Sequence, residues 1–311
     1  MPHLTPSYLT LLHTGELERR VQLAWEHLQD CDLCPRDCHV NRCKTIQGAV
    51  CRTGEQAVVH SVGAHHGEED PLRGWAGSGT IFFSRCNLRC VFCQNWEISQ
   101  KGEGQEVEPA TLARMMLNLQ AQGCHNINLV TPSHVVAQIL AGVLLAAQQG
   151  LRLPLVYNTG GYDSLEALTL LDGVIDIYMP DMKYGDSNTA RRYSHVRDFV
   201  AANQAAAREM HRQVGDLVVD EQGIAQRGLL VRHLVLPGDL ANTATVCQFL
   251  VNEISPRTYL NIMDQYHPCY RAAEYPPLDR PLNRQEYQDA LRMANASGLR
   301  RLDQRRSWWW R

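Results

Sequence analysis

Six apolar runs, separated by stretches of helical periodicity, limit what this chain can fold into. They are "TIFFS" (80–84), "NINLVT" (126–131), "LPLVYN" (153–158), "VIDIYMP" (174–180), "LLVRHLVLP" (229–237) and "TYLNIMDQ" (258–265). Near-continuous apolarity, rather than alternation, predicts strands covered on both faces, as in a parallel sheet. Between them, "ATLARMMLNLQAQG" and "HVVAQILAGVLLAAQQG" each end in a glycine suited to the position just past a helix. The expectation is therefore an α/β fold of six β/α repeats, either an open doubly wound sheet or part of a barrel. With 311 residues, 44% hydrophobic and 20% charged, the chain is long enough for one such domain and an appendage.

In "SRCNLRCVFCQN" (84–95), Cys86, Cys90 and Cys93 follow directly after the first run. Parallel α/β folds place their chemistry in loops after strands. Thiols this close cannot share one strand or helix face, so the loop must wrap around something. Four thiolates would saturate a [4Fe-4S] cluster, whereas three leave one iron open to another ligand. The competing readings are a structural zinc that borrows a fourth ligand, or thiols packed in the core.

A second group, Cys31, Cys34, Cys38, Cys43 and Cys51, falls within "CDLCPRDCHVNRCKTIQGAVC". Before it, "GELERRVQLAWEHLQD" puts Leu17, Val21, Ala24, Trp25 and Leu28 on one face of a packing helix. The eleven cysteines of the chain would suggest disulfides in a small exported domain. Here "MPHLTPSYLTLLHTGELERR" shows no basic region followed by an apolar run, and no stretch reaches the ~18 apolar residues of a spanning helix. The chain reads as soluble and cytoplasmic, and in a reducing compartment such clusters are metal ligands or redox groups. Its net charge of −3 gives no basic excess for bulk nucleic acid.

The motif C-x3-C-x2-C, with Phe92 before its last cysteine, resembles that of the radical S-adenosylmethionine (SAM) enzymes. The resemblance implies a partial (β/α)6 TIM-like barrel. It also implies a [4Fe-4S] cluster on Cys86, Cys90 and Cys93, whose open iron binds SAM. One electron, from a donor such as flavodoxin or ferredoxin, then cleaves SAM to a 5′-deoxyadenosyl radical that abstracts hydrogen from a substrate.

Longer segments, "GEEDPLRGWAGSGTIFFS", "YNTGGYDS", "MPDMKYGD" and "VRHLVLPG", are similar to proteins like pyruvate formate-lyase activating enzyme, in a variant with N-terminal cysteines. This narrower resemblance implies an oxidoreductase that acts on a glycine of a glycyl-radical enzyme. The alternative is a radical SAM enzyme of small-molecule or peptide modification. It also implies that Asp181, Lys183 and Arg232 hold SAM, with Tyr266 and His267 near its ribose. Thr131 and Ser133 stand where relatives carry a Gly-Gly-Glu, and Asn158 where they carry an aspartate. Arg85 replaces a usual glycine and would pay for a left-handed backbone.

The expected division is residues 1–76 as helix and cysteine-rich extension, 77–275 as barrel and 276–311 as C-terminal extension. Cys31, Cys34, Cys38 and Cys51 are taken as a second site, for zinc or a second iron–sulfur cluster, with Cys43 spare. His65 and His66 read as loop residues, and Cys269 as a core thiol near the barrel mouth. "DLVVDEQGIAQRG" reads as a hairpin near the barrel opening, and "RRSWWWR" as a tail over the barrel's flank or a partner contact.

Overall fold

The computed structural model describes residues 4–303. Its strands are β1 Ala57–His65, β2 Ser78–Phe83, β3 Gln105–Val107, β4 Ile127–Val130, β5 Leu155–Thr159, β6 Ile177–Pro180, β7 Val218–Val219, β8 Ala225–Leu234, β9 Tyr259–Met263 and β10 Arg301–Leu302. The sheet runs β10-β9-β8-β6-β5-β4-β2-β1-β3, with β7 paired to β8 alone. The six strands β2, β4, β5, β6, β8 and β9 are parallel neighbours and coincide with the six apolar runs. Their order starts and ends on different strands, so the sheet is a partial barrel that does not close. β5 and β6 are buried along their whole length, which is why their sequences do not alternate.

The helix Val136–Gln148 shows why an element can be apolar all round. It packs on the helix Pro109–Ala121 and is covered in turn by Glu16–Gln29, which buries Leu17, Ala24 and Leu28. Both connecting helices end as the sequence predicts: Gly123 and Gly150 take φ of 83° and 98° just past the last turn. The N-terminal segment is fastened to the strands' N-terminal ends, where the Ser7 amide donates to buried Asp176 over 2.8 Å and the Tyr8 hydroxyl to the Leu153 carbonyl.

Two expectations change. The hairpin through Glu221 to Gly223 forms, but it joins β7 to the first residues of β8 and so lies at the end of the barrel away from the cysteine loop. The sheet also extends beyond the six repeats. β1 pairs antiparallel with β2, β3 with β1, and β10 adds to β9. The tryptophans at 308–310 lie outside the described residues.

Candidate active site

The C-terminal ends of the parallel strands surround a cavity of about 1190 Å³. Cys86, Cys90 and Cys93 reach it from the loop after β2, Thr131 from after β4, Asn158 from β5, Asp181 and Lys183 from after β6, and Arg232 from β8. The cysteine loop starts at Arg85, whose φ of 69° turns the chain sharply off the strand. It is held along its length: the Val91 amide donates to the Tyr193 carbonyl over 2.8 Å, and the Cys90 thiol lies 2.9 Å from the Ser194 hydroxyl. The Cys93 thiol lies 3.2 Å from the Ser99 hydroxyl, and the Cys86 sulfur accepts from the Leu88 amide. Burial pushes the Cys90 thiol up and Cys86 up to about 12, although one side of Cys86 faces the cavity. Thiols so placed become ligands when a cation displaces their protons.

The same cavity holds a charged group of three, of which Lys183 acts on the Cys90 and Cys86 thiols. Asp181 accepts from the Lys183 ammonium at 2.5 Å and from Arg232 Nε at 2.8 Å, while Arg232 Nη2 donates to Asn158 Oδ1 at 2.7 Å. Burial alone would raise the Asp181 carboxyl, but the adjacent Arg232 and Lys183 charges hold it below its ordinary value. Burial likewise opposes the charge on Lys183, and Asp181 more than restores it. The backbone behind this group tolerates only glycine at 161. Its φ is 78°, and a Cβ there would stand 2.1 Å from the Asp181 carbonyl. Asn203 ties the same two positions by donating to both the Gly161 and the Asp181 carbonyls.

Four residues expected at the site stand off the cavity wall. Ser133 is buried with its hydroxyl 2.8 Å from that of Thr159, which in turn donates to Asp163. Phe92 packs edge-on against Tyr184 and Tyr266 behind the loop. His267 is exposed and meets Gln94, and the hydroxyl of buried Tyr266 donates to the Leu278 carbonyl. Cys269 is half-buried and feels the charge of Cys93. Conversely, Glu68 and Glu69, both buried, line the cavity from the connection after β1, together with His65 and His66. Asn261 donates to Glu69 at 2.7 Å. The run "GEED" was the only sign of these acids, and β1, which brings them there, was not among the expected strands.

The family described as "Radical SAM superfamily" matches residues 80–219. An uncharacterized protein of Methanocaldococcus jannaschii is 30% identical over 293 residues, 91% of this chain and 79% of the relative. The chain belongs to the radical SAM superfamily. Among solved structures, SuiB of Streptococcus suis bound to precursor peptide SuiA is similar with a TM-score of 0.47 and 10% identity, over 70% of this chain and 45% of SuiB. TYW1 with a lysine-pyruvate adduct bound is similar with a TM-score of 0.42 and 12% identity, over 70% of this chain and 73% of TYW1. The chain thus spans less than half the length of SuiB. No helix among the described residues is long and apolar enough to cross a membrane.

Membership in the radical SAM superfamily implies a [4Fe-4S] cluster and SAM, and the residues present fit both. Three thiols lining the cavity from one loop suit three irons and leave the fourth for another ligand. Lys183 and Arg232 line the same cavity; with Arg232 Nε and Nη2 engaged by Asp181 and Asn158, Nη1 is the donor it turns to a carboxylate, beside the Lys183 ammonium.

Proposed function

We propose that this radical SAM protein abstracts hydrogen from a polypeptide, specifically from a glycine of a partner enzyme, as an oxidoreductase of the activating type. The observation that carries the reading is the cavity. At about 1190 Å³ it lies above the roughly 300–1,000 Å³ of ordinary small-molecule sites, as a cavity that is to take a cluster, SAM and a second reactant requires. The long segments similar to pyruvate formate-lyase activating enzyme support the same reading.

The cluster and SAM, when bound, supply one-electron cleavage of the sulfonium to an adenosyl radical. The chain supplies placement. Cys86, Cys90 and Cys93 hold the metal, Lys183 and Arg232 orient the SAM carboxylate, and Asp181 holds those two cations in register. Glu68 and Glu69 add negative charge to the wall near Arg232, with Glu69 accepting from Asn261 and Glu68 beside His65. The electron donor is a small one-electron carrier such as flavodoxin or ferredoxin, and the compartment the cytoplasm.

The test is anaerobic and has two readouts. Reduced, reconstituted protein should form 5′-deoxyadenosine from SAM, and Cys86→Ala/Cys90→Ala/Cys93→Ala should form none. With a glycyl-radical enzyme as client, electron paramagnetic resonance should show a glycine-centred doublet. SAM cleavage by the triple variant would refute the site. SAM cleavage without a doublet from any glycyl-radical client would refute the substrate.

A further inference from the structure

Four of the five N-terminal thiols gather at one place, and the fifth does not. The Cys38 thiol donates to the Cys31 carbonyl at 3.7 Å, Arg42 ties the Cys31 sulfur to the carbonyl of Thr53, two residues past Cys51, and Cys34 has Cys51 and Cys31 as its electrostatic neighbours. Cys31, Cys34 and Cys51 are buried. Cys43 has Glu55, Arg42 and Lys44 as its charged neighbours instead.

Into this group points a cation. Arg42 is 2% exposed, donates through Nη1 to the Cys31 sulfur at 3.4 Å, and spends its other bonds on the carbonyls of Thr53 and His134, each at 2.7 Å. No carboxylate pairs with it among the described residues. A buried charge costs several kcal/mol unless a nearby opposite charge offsets it, and carbonyl dipoles do this only in part. Neutral thiols would leave the guanidinium uncompensated. Four thiolates on a metal centre carry net negative charge and complete the pair.

We propose that Cys31, Cys34, Cys38 and Cys51 hold a second iron–sulfur cluster, with Arg42 as its buried counter-charge and N–H···S donor. Iron–sulfur, rather than zinc, follows from a likeness between the two thiol sets. Among the described residues neither draws three ligands onto a single ion position. Zinc, about 2.3 Å from each sulfur, would bring them nearly into contact, whereas a cubane holds its thiolates apart.

The second cluster lies against the catalytic loop. The carbonyl of Asn87, next to Cys86, accepts from Arg36, two residues past Cys34, at 2.7 Å. Arg85 and Arg89 of the loop reach back to the carbonyls of Arg52 and Val50, the residues on either side of Cys51. Arg52 in turn donates to the Gln100 carbonyl. Loading the N-terminal thiols therefore fixes the seam on which the catalytic cysteines rest.

Iron, sulfide and zinc are to be counted in the anaerobically reconstituted full chain and in its Cys86→Ala/Cys90→Ala/Cys93→Ala variant, with circular dichroism to check folding. About eight irons in the wild type and about four in the variant are expected, since each cubane holds about four. Cys34→Ser/Cys51→Ser in the wild-type background should halve the iron, and Cys43→Ser should leave it unchanged. About one zinc in the triple variant, or a folded triple variant without metal, overturns the proposal. If the triple variant does not fold, the wild-type count decides, because four irons there also overturn it. Failure to cleave SAM would count against the proposed function and leave these counts as they are.

Discussion

Replacing Arg232 by methionine tests the charged side of the cavity. The change keeps much of the side chain's length and removes two bonds, to Asp181 Oδ1 at 2.8 Å and to Asn158 Oδ1 at 2.7 Å. Hydrogen bonds to charged groups contribute about 1.5–3 kcal/mol each. Against this, the guanidinium no longer has to be buried, which returns part of the loss. Net destabilisation of roughly 2–4 kcal/mol is expected in urea titrations of the metal-free chain. SAM affinity should fall independently. One lost charge-assisted bond of about 1.5–3 kcal/mol corresponds to about 10- to 150-fold in Kd, measured by anaerobic calorimetry on the reconstituted protein. Arg232→Lys, which restores the charge without the fork, should fall between. Lys183→Met should lose SAM affinity on the same scale. Unchanged Kd in both methionine variants, with stability lost as expected, would refute the assignment of these residues to SAM and leave them as a structural ion group.

Two further outcomes follow from backbone and burial. Arg85 has φ of 69°, and its side chain donates to the Arg52 carbonyl. Arg85→Ala should therefore cost about 1 kcal/mol because the strain stays and the bond goes, while Arg85→Gly should cost less; equal losses in urea titrations would contradict this. His134 is buried, and burial together with the Arg42 charge lowers its pKa from 6.5 to about 3. The unfolded chain thus takes up a proton below pH 6.5 that the folded chain refuses until about pH 3, so stability falls with acidification across that window. Between pH 6.5 and 5 this contributes about 2 kcal/mol, at 1.36 kcal/mol per unit, and His134→Gln should remove it; parallel pH profiles of the two proteins would show that His134 is not the source.

The parallel strands and the cysteine loop could be read from the sequence because both are local patterns. Apolar runs announce buried strands, and three closely spaced thiols announce a wrapped loop. Side-chain direction is not such a pattern. At a strand's end adjacent side chains point to opposite faces, so Asn158 meets the cavity while Tyr157 is buried and donates to Asp163. The same ambiguity hid that Ser133 turns inward while Thr131, with φ of 62°, faces the cavity. β1 was missed because "AVVHSVGAH" begins apolar and then becomes exposed, as befits a strand near the sheet's edge. With it went Glu68 and Glu69. The hairpin was recognised by its turn, but only pairing with the first residues of β8 placed it at the far end.

The unclosed sheet ends on β3, three residues long, and β10, two residues long. A strand edge recruits another chain in proportion to the row of unpaired backbone groups it displays, and short edges display few. β1 runs six residues past its pairing with β3, and there a register shift between Val59 and Ser61 bends the edge away from a flat template. The opening between the two ends of the sheet is therefore not, by its backbone, an invitation to polymerise.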